Sequence, residues 1–244
     1  MKIKNIVNIS RALLMTLSIA TLDVVASESK EAPSAVVEKL QSIVPAKSPD
    51  SITETQISGL YEARYGTTIL YISADGRYLI DGSMLDLQTR ANLTEQAIAK
   101  VRVDMLSRLD ESEMINYIPE SVKRTLTIFT DIDCQYCVKL HEERKQLLAA
   151  GINLRYLLYP RAGFNSPSYN KAVTVWCSKD RAEALTDAKA GMVPDAIECE
   201  NPILSQMSLA TDFGLKGTPH IVIDDGETIS GYMPAKALIK KLGQ

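Results

Sequence analysis

The second half of the chain shows short stretches with strand-like alternation and longer stretches with helical spacing of apolar residues. These patterns predict strands at 125–131, 152–159, 220–223 and 227–230, and helices at 135–150 and 234–242. Between the second and third of these strands the pattern is mainly helical, with helix starts predicted at Asn165-Ser166-Pro167, Asp180 and Asn201-Pro202. The predicted order is a βαβ unit, a helical insertion and a ββα unit.

The first half of the chain predicts a smaller module followed by one long helix. Asn92 and Glu95 form a capping pattern at the start of an amphipathic helix that extends to about Leu109. Before it, the pattern predicts a helix at 35–43 and strands at 56–64, 67–73 and 77–80. This α+β module has roughly 60 residues, and a core of that size is marginal by itself. We therefore expect that pairing with a second copy helps to stabilise it.

The N-terminus has the pattern of a secretory signal peptide. Lys2, Lys4 and Arg11 are basic, residues 12–22 are apolar, and small residues around Ala26 suit a cleavage site. The apolar stretch is shorter than the roughly 20 residues that cross a bilayer. Residues 1–26 are therefore predicted to be a signal peptide, with an uncleaved N-terminal anchor as the alternative.

Charge and composition exclude some classes of function. The chain has a formal net charge of −3, and removal of residues 1–26 takes away three bases and one acid, which leaves −5. With 6% aromatic residues and no basic run, nothing indicates nucleic-acid binding. A hydrophobic content of 45% argues against disorder and for domains with real cores.

A Cys-x-x-Cys motif, Cys134-Gln135-Tyr136-Cys137, lies between a predicted strand and a predicted helix. A cysteine at the start of a helix is favoured as the thiolate by the unpaired N–H groups and the helix dipole. A thiolate attacks disulfides, and a second cysteine three residues later can resolve the mixed disulfide. The motif therefore indicates a redox site.

The other two cysteines, Cys177 and Cys199, are 22 positions apart across a mostly helical pattern. In an exported protein an even number of cysteines suggests that all are paired. We expect Cys177 and Cys199 to form a structural disulfide, which leaves Cys134 and Cys137 as the exchangeable couple.

A structural zinc site is the alternative for these cysteines. Zinc commonly takes four ligands from two closely spaced pairs of Cys or His, and the second pair would need to come from Cys177, Cys199, His141 and His220. His141 shares a helix face with Cys137, so it is either an exposed histidine without a special role or an electrostatic partner of the thiol.

The segment Gly217-Thr218-Pro219 precedes the predicted strand at 220–223. Proline at the start of a strand suits an edge or a cis turn. Together with the cysteine motif and the order of elements, this segment predicts a thioredoxin-like domain. The cysteine motif and the Pro219 loop would then face each other.

Motifs along nearly all of the mature chain resemble the DsbC family of periplasmic disulfide isomerases. In the second half these are Phe129–Ile132, Cys134, Tyr136-Cys137, Lys139–His141, Arg155–Leu157, Tyr159–Arg161, Trp176-Cys177 and Gly217–Pro219. In the first half they are Gly59–Tyr61, Tyr71-Ile72, Asp75-Gly76, Gly82, Met84 and Asp86.

The resemblance implies an α+β N-terminal dimerisation domain joined by a linker helix to an α/β thioredoxin-like domain with a helical insertion. The corresponding ranges are 1–26 for the signal peptide, 27–90 for the dimerisation domain, 91–112 for the linker helix and 113–244 for the catalytic domain. It also implies a cis peptide bond between Thr218 and Pro219, close to Cys134. The same resemblance implies a V-shaped homodimer whose catalytic domains face a cleft for misfolded proteins. A DsbD-type membrane reductase would keep the active cysteines reduced, without an organic cofactor or metal.

Two residues at the motif depart from the family pattern. Gln135 replaces a glycine, and Val138 replaces a histidine. Asp133 raises a separate question, because a carboxylate next to Cys134 would disfavour the thiolate. The thiol pKa cannot therefore be carried over from the family.

The sequence predicts a periplasmic thiol–disulfide isomerase that rearranges, and can also reduce, incorrect disulfides in secreted proteins. Cys134, the more exposed cysteine, would attack the client disulfide, and either another client thiol or Cys137 would release the product. Tyr136, Thr218 and Pro219 would contact the substrate. The alternatives are a thiol oxidase or reductase with a narrow set of clients, and a holdase chaperone in which the cysteines are secondary.

Overall fold

The structure is a computed structural model that describes residues 32–193 and 195–244. The expected signal peptide, residues 1–26, lies outside this part of the chain. The described residues form two β-sheets and eight α-helices. None of these eight helices has the length and apolar character that crossing a bilayer requires.

The first sheet is antiparallel, with its strands in the order in which they follow along the chain. The strands are β1 (Ser51–Glu54), β2 (Leu60–Tyr65), β3 (Thr68–Ser73) and β4 (Leu79–Ile80). Helix α1 (Ser34–Ile43) contributes to a small core. This core contains Val36, Leu40, Tyr61, Ala63 and Ile72. The predicted α+β module is confirmed.

Two features of this sheet differ from the predicted strands. The sequence pattern does not predict β1, because its four residues are at most half-buried and show no alternation. The strand predicted at 56–64 begins only at Leu60, since the preceding residues form a turn. In that turn Gly59 has φ +76°, and the Leu60 N–H donates to the carbonyl of Ile57 at 3.0 Å.

Helix α2 (Leu93–Ser107) begins at the predicted cap, where the Asn92 side chain accepts a hydrogen bond from the Glu95 N–H at 3.0 Å. It ends two residues before the predicted Leu109. Arg102 of this helix donates to the carbonyl of Gly226 at 3.1 Å. The Ala99 backbone lies so close to Gly226 that any side chain there would collide with it. Helix α2 therefore packs directly on the turn around Gly226.

The second sheet has five strands in the order β5-β7-β6-β8-β9. The strands are β5 (Ile115–Tyr117), β6 (Arg124–Thr130), β7 (Ile152–Leu158), β8 (His220–Ile223) and β9 (Thr228–Ser230). Strands β6 and β7 are parallel, and the other neighbours are antiparallel. The sequence predicts all of these strands except β5, which has only three residues and pairs at the edge of the sheet. This sheet and its helices confirm the thioredoxin-like domain.

Six helices surround this sheet: α3 (Gln135–Glu142), α4 (Arg144–Ala149), α5 (Pro167–Cys177), α6 (Arg181–Lys189), α7 (Ile203–Asp212) and α8 (Ala235–Lys241). The single helix predicted at 135–150 is divided at Glu143. The Glu143 carboxylate accepts hydrogen bonds from the Tyr232 hydroxyl at 2.7 Å and from the Ala235 N–H. Glu143 therefore caps α8 from the junction between α3 and α4.

Helices α5, α6 and α7 form the helical insertion. Their predicted starts at Ser166 and Asp180 are confirmed, because each side chain accepts a backbone N–H of the first turn. A disulfide joins Cys177, at the end of α5, to Cys199, in the loop before α7. Their Cα atoms are 5.7 Å apart, within the range that a disulfide spans. The disulfide therefore links the end of α5 covalently to the loop before α7.

Candidate active site

The Cys134–Cys137 motif lies where β6 is followed by α3. Cys134 is the N-cap residue of α3, with φ −83° and ψ 114°. Its carbonyl accepts a helical hydrogen bond from the Val138 N–H at 3.0 Å. Cys137 lies one turn further along and points into the core. The free N–H groups and the dipole of the helix favour negative charge on the sulfur of Cys134.

A buried carboxylate, Asp131, holds the loop between β6 and α3. It accepts hydrogen bonds from the Ser168 hydroxyl at 2.5 Å, from the Arg161 N–H at 3.0 Å and from the Asp133 N–H at 3.0 Å. Burial alone would raise the pKa of Asp131, but these bonds outweigh it and lower that pKa. Asp131 is not among the predicted site residues, although an acid directly after a buried strand is a signal for such a role. Asp131 therefore holds Asp133, the residue before Cys134, in place.

The loop that contains Thr218 and Pro219 covers Cys134 from the other side. The peptide bond between them is cis, as predicted. The Cys134 thiol donates to the carbonyl of Thr218 at 3.3 Å. The Thr218 hydroxyl is buried, and within the described residues it has no hydrogen-bond partner. The fold therefore brings Cys134 and this loop into contact across 84 positions of sequence.

Tyr136 lies at the rim of this site and is 58% exposed. Its ring stacks on Tyr232, with the ring centroids 6.3 Å apart. The Lys139 ammonium lies over the Tyr136 ring, 5.7 Å from its centroid. An exposed aromatic surface therefore borders the cysteine motif.

The two cysteines differ in their acidity. Burial alone would raise the pKa of the Cys134 thiol, but the groups that can donate to its thiolate, first the unpaired Thr218 hydroxyl and then Cys137, outweigh burial and lower that pKa. Burial dominates at Cys137 and raises the pKa of that thiol. Cys134 is therefore the cysteine that ionises first.

Asp133 does not prevent this lowering of the Cys134 pKa. Its carboxylate forms an ion pair with Lys171 at 2.7 Å. The positive charge of Lys171 compensates the negative charge that the sequence places next to the thiol. The opposition expected from Asp133 is therefore weak.

The two cysteines differ less in solvent exposure than the sequence predicts. Cys134 is 4% exposed and Cys137 is 1% exposed, so the order is the expected one but both residues are buried. The Thr218-Pro219 loop covers Cys134, and this contact is not visible in the local sequence. Position and acidity, rather than exposure, distinguish the two sulfurs.

The expectation of an exposed His141 is wrong. His141 is 2% exposed. Its ring nitrogens lie 3.2 Å from the Tyr156 hydroxyl and 3.1 Å from the Thr186 hydroxyl. Burial, together with the positive charges of Lys189 and Arg144, lowers its pKa to about 3. His141 is therefore neutral at physiological pH and supplies no charge to the thiols.

This buried histidine should make the protein sensitive to acid. An unfolded histidine has a pKa near 6.5, so between pH 6.5 and 3 the unfolded chain binds more protons than the folded one. Acid then favours unfolding. Lowering the pH from about 7 to 5 should reduce the free energy of unfolding by ~2 kcal/mol through this residue, as measured by urea denaturation.

The control is His141→Gln, which keeps hydrogen-bonding groups but cannot titrate in this range. His220 also has a lowered pKa, of about 4, and contributes equally to both proteins. The pH dependence of the variant should therefore be smaller by the amount due to His141. Equal losses in both proteins would contradict a buried neutral His141.

The residues considered for a zinc site lie in separate environments. Cys177 and Cys199 are bonded to each other, and His220 lies beside the Ser230 hydroxyl at 3.3 Å. Across residues 32–193 and 195–244, no three His, Cys, Asp or Glu side chains are grouped as metal ligands would be.

Two family models match the chain. The Disulfide bond isomerase protein N-terminal domain matches residues 26–95, and a Thioredoxin-like domain matches residues 111–244. The second match covers the strands, helices and cysteine motif described above.

Relatives and a solved structure show the same similarity. The chain is 35% identical over 223 residues to the thiol:disulfide interchange protein DsbC of Haemophilus influenzae, covering 91% of this chain and 95% of the relative. It is 37% identical over 193 residues to DsbC of Dickeya dadantii, covering 78% and 79%. The crystal structure of a disulfide interchange protein from Neisseria gonorrhoeae has a TM-score of 0.50 and 31% identity, covering 56% of this chain and 99% of that one. Since the similarity extends over both domains and includes the cysteine motif, the chain belongs to the DsbC family of thiol:disulfide interchange proteins.

Proposed function

We propose that this protein is an exported, homodimeric thiol–disulfide isomerase that rearranges incorrect disulfides in secreted proteins. The observation that carries this proposal is the position of Cys134 at the start of α3, against the Thr218 carbonyl, with a lowered thiol pKa. A thiol with these properties is a thiolate more often than an ordinary cysteine, and the thiolate is the species that attacks a disulfide.

The reaction begins when the Cys134 thiolate attacks one sulfur of a client disulfide. A bond forms between Cys134 and that sulfur, the client S–S bond breaks, and the other client sulfur leaves as a thiolate. In isomerisation, a different client thiolate attacks the mixed disulfide, and Cys134 returns to its starting state. In reduction, Cys137 attacks Cys134, so the motif becomes oxidised and the client is released with two thiols.

Tyr136, Thr218 and Pro219 are the proposed client contacts. Tyr136 offers an exposed aromatic surface next to the sulfurs. Thr218 and Pro219 lie against Cys134, so a client that reaches the sulfur must pass over their backbone. The buried Thr218 hydroxyl can donate to the thiolate and stabilise it.

We propose that the domains divide as the sequence predicts, with dimerisation at 27–90, a linker helix at 91–112 and catalysis at 113–244. The helix itself covers Leu93–Ser107. The signal-like N-terminus supports export to the periplasm. A DsbD-type membrane reductase is the proposed source of electrons that keeps the Cys134–Cys137 couple reduced.

Reactivation of a scrambled substrate tests this function. A ribonuclease with randomly paired disulfides, incubated with catalytic amounts of the reduced protein, should regain activity faster than in glutathione buffer alone. Reduction of insulin disulfides without this rescue would indicate a reductase. Suppression of client aggregation that survives alkylation of the thiols, again without rescue, would indicate a holdase chaperone.

A further inference from the structure

A cavity of about 350 Å³ lies on the helical insertion, between α5 and the loop that precedes α7. Cavities of this size are large enough to bind a ligand or a side chain. One wall is α5, where Tyr169 and Val173 are more than nine-tenths buried and supply apolar surface. The other wall is the loop around Ile197, and the Cys177–Cys199 disulfide holds this loop against the end of α5. Both walls of the cavity are therefore fixed.

Two large apolar side chains at this cavity are exposed to solvent. Ile197 is 43% exposed and Phe164 is 59% exposed. The Phe164 ring packs edge-on against Tyr169, with the ring centroids 5.0 Å apart, so it extends the apolar surface beyond the cavity. Single exposed apolar residues are common, but neighbouring ones mark contact sites for other molecules. This surface fits an apolar side chain of a bound polypeptide.

Two asparagines add polar groups to the apolar lining. Asn165 and Asn170 both line the cavity and are exposed. The hydrogen bonds that hold α5 here use other atoms, because Ser166 caps the helix and Thr174 binds the Asn170 carbonyl. An asparagine amide has both a donor and an acceptor. The two amides can therefore pair with the N–H and C=O groups of an extended chain.

Helix α5, which forms one wall of the cavity, is bound to the loop that carries the nucleophile. The Ser168 hydroxyl donates to the Asp131 carboxylate at 2.5 Å, and Lys171 pairs with Asp133 at 2.7 Å. The Asp131 carbonyl accepts the Cys134 N–H at 3.3 Å. An extended chain advances about 3.3 Å per residue, so a client bonded to Cys134 reaches the cavity with residues close to its cysteine.

We propose that this cavity is a client subsite, which takes a large aromatic or aliphatic side chain a few residues from the cysteine that Cys134 attacks. The inference rests on the proposed function and deepens it, because it names the kind of client segment that reacts fastest. Cysteines and large apolar residues are both usually buried in folded proteins. Segments that contain both are therefore accessible mainly in misfolded clients.

The reaction of short peptides with the intact, reduced protein tests the inference. Each peptide contains one cysteine in a mixed disulfide with nitrobenzoate. Cys134 bonds to the peptide sulfur, the S–S bond breaks, and nitrobenzoate leaves as a coloured thiolate. A single phenylalanine is placed two to six residues from the cysteine, on either side, with alanine at the same position as the reference. Division by the rate with dithiothreitol removes differences in intrinsic reactivity.

At the best position, phenylalanine should raise the second-order rate at least about fivefold over alanine. Ile197→Asp, which places a charge in the cavity, should reduce this gain to less than about twofold. It should leave the rate of the alanine peptide within about twofold of the native rate. Ala196→Trp, which fills the cavity from the same loop, should have the same effect and keeps the test open if Ile197→Asp does not fold.

Ile118→Asp is the matched control. Ile118 is 70% exposed and lies beside Lys123 and Gly151, at the end of β6 opposite to the cysteine motif. This variant should keep the full gain. Equal rates for phenylalanine and alanine at every position, or a gain that persists in both cavity variants, would overturn the inference. Loss of dimerisation in Ile197→Asp would assign the cavity to a second copy and would also overturn it.

This readout does not depend on isomerase activity. A preference for phenylalanine without rescue of scrambled ribonuclease would remove the proposed function and leave the subsite intact. Rescue without any such preference would do the opposite.

Discussion

Cys137→Ala is expected to accumulate clients on Cys134 as stable mixed disulfides, whereas Cys134→Ser should form none. Cys134 has a lowered thiol pKa and the start of a helix at its sulfur, so it attacks first. Cys137 is the only cysteine placed to release it from within the described site. Without Cys137, reduction of a client should stop after the first bond exchange. Without Cys134, the rate of exchange should fall by a factor of at least about a thousand.

Non-reducing gel electrophoresis of each variant, mixed with a client that contains one disulfide, measures the trapped adduct. Mass spectrometry of a digest should place the adduct on Cys134. A brief alkylation of the reduced native protein near pH 6 should also label Cys134 first, because it ionises first. Adducts or labels found mainly on Cys137 would reverse the roles that we propose for the two residues.

Leu79→Asp combined with Ile80→Asp should convert the proposed dimer into a monomer. Strand β4 is an edge of the first sheet, and both residues are about half exposed although they are large and apolar. An unpaired apolar edge needs a partner or a cover, and the opposite edge, β1, carries Thr53 and Glu54 instead. Two like-charged carboxylates from each copy at this contact should weaken association by at least about a hundredfold.

Sedimentation velocity measures the change in assembly, and two activity assays show its consequence. The variant should reduce insulin within about twofold of the native rate, because the second sheet and its cysteine motif are untouched. Its rescue of scrambled ribonuclease should fall by about tenfold or more, because two Cys134 sites would no longer share one client. Leu204→Asp, at an exposed leucine of α7, is the matched control and should remain dimeric.

A variant that stays dimeric would exclude the β4 edge as the contact. A monomer that isomerises as well as the native protein would contradict the division of labour between the domains. The intact chain is the right protein for this test. A fragment starting near Ser121 would lose β5, which pairs with β7, and would also lose the buried Met114.

Local sequence determines much of this fold and site. Asn92, Ser166 and Asp180 cap helices where the sequence predicts, because a cap depends on residues only three positions apart. The cysteine motif falls between a strand and a helix for a similar reason. Both the cis bond before Pro219 and the thioredoxin-like order could be predicted from motifs and from the sequence of elements.

Features that depend on distant contacts could not be predicted in this way. Glu143 interrupts a helical pattern because its carboxylate caps α8, almost one hundred positions away. The position of His141 along α3 is compatible with exposure to solvent, and it is buried because α6 packs over it. Lys189 is the last residue of a largely polar helix. From sequence alone it would be predicted to be exposed, because a base near a helix C-terminus interacts favourably with the helix dipole. Only the packing of α6 against the end of β6 places its ammonium beside the Thr130 hydroxyl.

The contact between the Cys134 thiol and the Thr218 carbonyl should make the proposed client binding depend on the chemical state of the sulfur. Only the protonated thiol has a hydrogen to donate to that carbonyl. Once Cys134 becomes a thiolate or enters a disulfide, this acceptor loses its internal donor and can receive a backbone N–H from a client instead. If the loop binds clients as proposed, it should bind a polypeptide most strongly while the covalent bond exists, and less strongly once the thiol is restored.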